Sequence, residues 1–160
     1  MKRNNTKPIP AERLVSLLTE RNLTVFTAES CTGGLIAKKL TDVPGASRAV
    51  NGGIVSYTNE IKSGVLGVDP QTISEHTAVS REVALEMAEC AAKHGDIGVS
   101  VTGYAGGNPS SNPVGLVFIG VSHGGKTEAF RHDFEGDRHE IREKAADAAI
   151  LHVIDAISEN

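Results

Sequence analysis

Glu29-Ser30-Cys31-Thr32-Gly33-Gly34 sets a carboxylate, two hydroxyls, a thiol and two glycines side by side. The run stands between an apolar, β-branched segment, LTVFTA (residues 23–28), and an amphipathic one, LIAKKL (residues 35–40). A strand that breaks into hydroxyl residues and a glycine pair, then restarts as a helix, leaves backbone N–H groups pointing out of the helix start. Those donors and the helix dipole favour an anion, or an oxygen that becomes anionic in a transition state. A serine held at such a turn can act as a nucleophile beside its own oxyanion donors. Plainer assignments compete with that chemistry. Ser30 or Thr32 can simply cap the helix, and Cys31 can be either the nucleophile or a small buried thiol.

The elements that must position this run follow from periodicity and turn chemistry. Residues 11–21 carry Leu14, Val15, Leu17 and Leu18 at helical spacing, ahead of the LTVFTA strand. After the central helix, DVPGAS (residues 42–47) is a turn, and GGIVSY (residues 52–57) reads as a second strand. TNEIK (residues 58–62) opens a short helix, and Asp69-Pro70 starts another that runs to His76. Ser80 is a good N-cap for a helix to His94 whose apolar face holds Val83, Leu85, Met87, Ala88, Cys90 and Ala91. DIGVSVT (residues 96–102) is a third strand, followed by an irregular Gly, Ser, Asn and Pro loop. Residues 114–122 and 126–134 flank His123-Gly124-Gly125 as an antiparallel hairpin, and residues 137–157 form a long closing helix. The order predicts an α/β fold: one three-layer α/β/α domain over residues 11–160, preceded by a flexible arm at 1–10. Its sheet is mostly parallel, with the hairpin near the C-terminal half. In such a sheet ligands gather outside the carboxyl ends of the strands. Ser56-Tyr57-Thr58-Asn59 and Thr102-Gly103-Tyr104-Ala105-Gly106 are the other polar strand exits, and they converge with Ser30 if their strands are neighbours.

Composition excludes several functions. A net charge of −4, 4% aromatic residues and no Trp suit neither a phosphate-backbone binder nor a base-stacking surface. No apolar run is long enough to span a bilayer, and the N-terminal residues lack the apolar core of a signal peptide. Two cysteines without metal-ligand spacing point to reduced thiols in the cytoplasm. The six histidines and the carboxylates show no ligand grouping, so no metal and no cofactor are expected. The oligomeric state is open, although a small domain with a hairpin edge is able to form a homodimer.

AESCTGG, DVPGAS, GGIVSYTNEIK with LGV, AVS before the long helix, VTGYAG, PVG and FEGDRHEIR occur in an order that resembles the CinA C-terminal domain family. The resemblance covers nearly the whole chain after Pro10, and separate motifs in fixed order are far more specific than any one alone. It implies a nicotinamide-nucleotide amidase, which hydrolyses the carboxamide of nicotinamide mononucleotide (NMN) to nicotinate mononucleotide and ammonia. Ser30 matches the family's nucleophile. Lys62 matches the lysine able to serve as its base, and Tyr57 lies on the same exit as a proton relay or substrate contact. The substrate-binding set is then Thr32, Gly33, Gly34, Thr102, Gly103, Arg138 and Arg142. The two glycines can offer N–H groups to the phosphate. The two arginines, four apart on one helical face, can offer guanidinium forks, with Arg142 the better placed because Arg138 has Glu135, Asp137 and Glu140 as competing partners.

One segment departs from the family's pattern. TGYAGGNPSSNPVG has Gly107 where a proline is expected, Asn112 where a lysine is expected, and a shorter loop. Two alternatives to NMN deamidation follow: an amidase for a different amide, or a catalytically silent nucleotide-binding module. A part in DNA uptake, suggested only by the family's name, is disfavoured by acidity and scarce aromatics.

Overall fold

The computed structural model describes residues 9–108 and 110–159. Residues 1–8 of the expected N-terminal arm lie outside the described residues. Pro10 belongs to the first helix, α1 (Pro10–Glu20), where it takes the first turn and the Glu12 side chain accepts the Ile9 N–H. Chain order then runs β1 (Val25–Glu29), α2 (Leu35–Thr41), β2 (Val50–Val55), α3 (Asn59–Ile61), a π turn (Lys62–Leu66), α4 (Pro70–His76), α5 (Arg81–Ala91), β3 (Ile97–Gly103), β4 (Leu116–His123), β5 (Lys126–Asp133) and α6 (Arg138–Ser158).

The five strands form one sheet in the order β2-β1-β3-β4-β5. β2, β1 and β3 are parallel, while β4 and β5 form the expected antiparallel hairpin. Gly124 and Gly125, both left-handed (φ 59° and 81°), make its two-residue turn, a conformation that suits the twist of a hairpin. β3 lies at the centre of the sheet and is buried from Ile97 to Thr102; its two hydroxyls are satisfied within the fold, Ser100 donating to the Ala84 carbonyl and Thr102 to the Ala78 carbonyl.

Two cores sandwich the sheet. On one face Leu14 and Leu18 of α1, Ile36 and Leu40 of α2 and Ile141, Ile150 and Ile154 of α6 meet Val25, Val99, Val101 and Ile119. On the other, Val83, Met87 and Cys90 of α5 meet Ile73 of α4, Leu66 and Ala28. Burial of such side chains contributes about 1.5–3 kcal/mol each. α5 lies flush on the sheet because two strand positions lack a Cβ. An added Cβ would come within 2.1 Å of the Ala88 carbonyl at Gly98 and 2.4 Å of the Ala84 carbonyl at Gly120. Ser80 caps α5 by accepting the Val83 N–H at 3.2 Å. Asp137 and Glu140 cap α6 reciprocally, at 2.9 and 2.8 Å. Among the described residues no helix is long and apolar enough to cross a membrane.

Candidate active site

The carboxyl ends of β1, β2 and β3 lie side by side, so the three polar exits do converge. Ser30 leaves β1 tied to the central strand, its N–H donating to the Val101 carbonyl at 2.9 Å. Gly33 and Gly34 then adopt left-handed conformations (φ 60° and 98°) that let the chain reverse into α2 within four residues.

The start of α2 is already neutralised. The Glu29 carboxylate, 1% exposed, accepts the N–H groups of Ile36 at 2.9 Å and Ala37 at 3.0 Å. Two of the helix's orphan donors are thereby satisfied by an anion from the preceding strand. Neither Ser30 nor Thr32 caps the helix; its N-cap position is Gly34, with no side-chain bond. The Gly33 N–H donates to the Ser30 carbonyl, and neither glycine lines the cleft. An anion seated on this helix terminus would have to displace Glu29.

Ser30 faces a lysine. β2 ends at Val55, Thr58 caps α3 by accepting the Ile61 N–H, and the chain widens into the π turn that begins at Lys62. From there the side chain runs inward: Lys62 is 2% exposed. Its Nζ donates to Ser30 Oγ at 3.0 Å and to the Ser56 carbonyl at 2.8 Å. Among the described residues no carboxylate lies within ion-pair distance of it. Burial therefore pushes the Lys62 amine below the ordinary lysine range. The neighbouring Cys31 thiol goes the other way, pushed up by burial to about 11. It stays a neutral thiol at pH 7, which fits the small buried thiol and not the nucleophile.

Around the pair lies a cleft of about 240 Å³, bordered by Tyr57, Asn59, Ala78, Val79, the Thr102–Gly106 strand exit and Arg138. Thr102 offers little to a ligand, because its hydroxyl donates to the Ala78 carbonyl at 2.7 Å. Gly103 lines the wall. Tyr57 stands at the mouth, 55% exposed, and its hydroxyl accepts from Arg138 Nη2 at 3.1 Å. The hydrogen-bond partner of Ser30 Oγ is thus Lys62, while the Tyr57 hydroxyl meets Arg138. Arg138 faces the cleft and lies against Gly106, where a Cβ would meet its Nη1 at 3.1 Å.

Arg142, the better placed phosphate ligand on sequence grounds, is not in the cleft. It sits behind the Ser30 turn and donates to the Cys31 and Thr32 carbonyls. Thr32 is also turned away, fully buried, with a hydroxyl that has no hydrogen-bond partner. Gly107 stands at φ 122°, a value that the proline ring forbids, so the loop beyond the cleft follows a path closed to the expected proline. Sequence reasoning missed Glu29 as the cap of α2, the Ser56 carbonyl as the second acceptor for Lys62, and Ala78 and Val79 as cleft residues. Only Glu29 left a signal, an acid closing an otherwise apolar strand. Among the described residues no three His, Cys, Asp or Glu side chains group as metal ligands. A larger groove, about 1020 Å³, lies between β4, β5 and the end of α6, but Ser30 and Lys62 do not border it.

A buried serine–lysine pair at the strand ends of an α/β sheet defines a class of site suited to covalent acyl chemistry. Comparison with known proteins makes the assignment narrower. The profile of the CinA C-terminal domain matches residues 9–157, and the chain belongs to that family. A CinA-like protein of Leptospira borgpetersenii serovar Hardjo-bovis (strain L550) is 48% identical over 151 residues, covering 91% of this chain and 36% of the relative. A CinA-like protein of Kosmotoga olearia is 48% identical over 139 residues, 84% of this chain and 34% of the relative. The chain thus spans about a third of the length of the curated relatives it matches. The crystal structure of the competence/damage inducible protein CihA from Agrobacterium tumefaciens superposes with a TM-score of 0.86 at 37% identity, over 94% of this chain and 98% of that one.

Proposed function

We propose that this domain is a metal-independent amidohydrolase that converts NMN and water to nicotinate mononucleotide and ammonia. The observation that carries the proposal is the 3.0 Å contact between Lys62 Nζ and Ser30 Oγ, buried and, among the described residues, without a carboxylate to hold the ammonium charged. In its neutral form Lys62 takes the Ser30 proton as Oγ attacks the carboxamide carbon. Of the turn after Ser30, Cys31 lines the cleft, and its N–H serves the developing oxyanion. Lys62 returns the proton to the departing ammonia, leaving an acyl-serine, and then activates the water that hydrolyses it. Arg138 at the cleft edge supplies positive charge for the phosphate, and Tyr57 and Tyr104 flank the ring. The reading takes the protein as a cytoplasmic enzyme without a cofactor.

The path at Gly107 favours a second reading, in which the cleft holds a different amide or binds a nucleotide without turnover. Ammonia release across a panel of pyridine nucleotides and other small amides separates the two. Ser30→Ala should lower turnover about a thousandfold or more while the fold and nucleotide binding persist. Near-normal turnover in folded Ser30→Ala protein rules out serine catalysis.

A further inference from the structure

The two arginines at the start of α6 have different tasks. Arg138 faces the cleft, while Arg142, one turn further on, reaches the back of the turn that presents Ser30. Its Nε donates to the Cys31 carbonyl at 3.0 Å and its Nη2 to the Thr32 carbonyl at 3.0 Å. A planar fork that binds two successive carbonyls fixes two peptide planes at once, which a lysine ammonium cannot do.

This turn needs such support. Gly33 and Gly34 have the widest backbone freedom of any residue type. Thr32 adds a buried hydroxyl with no partner, an unfavourable group that the turn has to retain. Glu29 fixes the α2 side of the turn, and Arg142 closes the back so tightly that a Cβ on Gly33 would sit 3.2 Å from its Nη2. The chemistry is sensitive to looseness here, because a displacement of about 1 Å at a reacting group can lower the rate a hundredfold.

We propose that Arg142 is a positioning residue: by clamping the Cys31 and Thr32 carbonyls it keeps Ser30 in register with Lys62, and it takes no part in holding the substrate's anion. The inference rests on the serine–lysine hydrolase reading above. Arg142 is also one of the groups that draw the Cys31 thiol downward against burial, so its charge is felt beside the nucleophile. Since Arg138 and Arg142 share one helix, the ligand's seat and the nucleophile's register are set by the same rigid body.

The test compares Arg142→Gln and Arg142→Lys with Arg138→Ala. Three readouts are taken: ammonia release from NMN and from its dephosphorylated nucleoside, labelling of Ser30 by a fluorophosphonate followed by mass, and amide hydrogen exchange. For Arg142→Gln, kcat should fall about thirtyfold or more with both substrates, while KM for NMN stays within about threefold. Labelling should fall in step, and exchange at residues 31–35 should quicken about tenfold while β3 and α5 are unchanged. Arg142→Lys, which keeps the charge but not the fork, should resemble Arg142→Gln, and it carries the comparison if the glutamine variant does not fold. A raised KM for NMN alone, with kcat intact, would make Arg142 a phosphate ligand and overturn the proposal. Unchanged exchange and labelling would overturn it equally. If the wild type releases no ammonia from any pyridine nucleotide, the NMN assignment falls, and labelling and exchange decide the clamp by themselves. Should wild-type Ser30 also resist labelling, there is no reactive serine to position and both readings fall.

Discussion

Replacing Lys62 by Met should abolish turnover and, at the same time, remove a pH-dependent penalty on stability. Lys62 carries its amine into the interior, with Ser30 Oγ and the Ser56 carbonyl as its acceptors. Exchanging a buried amine for a packed apolar side chain removes a polar burial cost of about 1–3 kcal/mol. Against this, the Ser56 carbonyl loses a donor, at about 1–3 kcal/mol. The two nearly cancel at neutral pH, so the Tm of Lys62→Met should stay within about 8 °C of the parent, taking 2–4 °C per kcal/mol for a domain of this size. The pH dependence is the sharper signal. Burial lowers the folded-state pKa of Lys62, so between that value and the unfolded value of about 10.4 the unfolded chain holds more protons. Wild-type stability therefore gains a contribution as pH rises through that window, with a limiting slope of about 1.4 kcal/mol per pH unit for one proton. Lys62→Met lacks it. Urea midpoints of both proteins from pH 7 to 10 should diverge accordingly, and wild-type kcat/KM should rise with pH through an ionisation below 10.4. Parallel stability curves would refute the desolvated lysine. Residual turnover above about a hundredth of wild type would refute its role as base.

Three further outcomes are expected. Arg138→Ala should weaken binding of the mononucleotide roughly tenfold and leave its nucleoside almost unaffected, a modest effect because the exposed arginine is well solvated; isothermal titration of both ligands checks this. Glu29→Gln should destabilise the fold by about 1–3 kcal/mol, since the amide oxygen can replace one carboxylate oxygen while its NH₂ opposes the other backbone donor, and thermal unfolding reads the loss. His132 of β5 and His152 of α6 share an Nε2–Nε2 hydrogen bond of 2.8 Å, and burial lowers both pKa values. The unfolded chain binds more protons below pH of about 6.5, so stability should fall as pH drops from 7 toward 5. Urea midpoints should show that fall in the wild type and a flatter profile in the His132→Gln/His152→Gln double variant.

Much of the architecture was legible because each element carries its own local signal. Ser80 announces α5, the Gly124–Gly125 pair announces the hairpin, and the apolar run at residues 97–101 announces a central strand. Ser30 was legible for the same reason, as a hydroxyl at a strand-to-helix break. What stayed hidden depends on depth and direction. The spacing of Arg138 and Arg142 gives a shared face of α6, yet it does not say how far along the helix the cleft lies. One turn of rise moves Arg142 from the cleft to the back of the Ser30 turn. The π turn that carries Lys62 inward has no distinct signature, since Lys62-Ser63-Gly64 reads as polar surface. Glu29 was hidden because a helix start attracts any anion, and a carboxylate seven residues upstream serves as well as a ligand.

The parallel pairing of β1 with β3 also determines when during folding the site comes into being. It joins Val25 to Ile97, contacts far apart along the chain, and pairings of that kind form slowly. Ser30 and Lys62 come from the earlier part of the chain, Gly103 from beyond its midpoint, and Arg138 and Arg142 from the helix that closes it. The cleft wall that Arg138 provides is therefore complete only once α6 is docked. Helical circular dichroism can return early, whereas the Ser30 reactivity proposed above should return only once α6 is docked. Recovered labelling of Ser30 thus counts completed molecules, not merely collapsed ones.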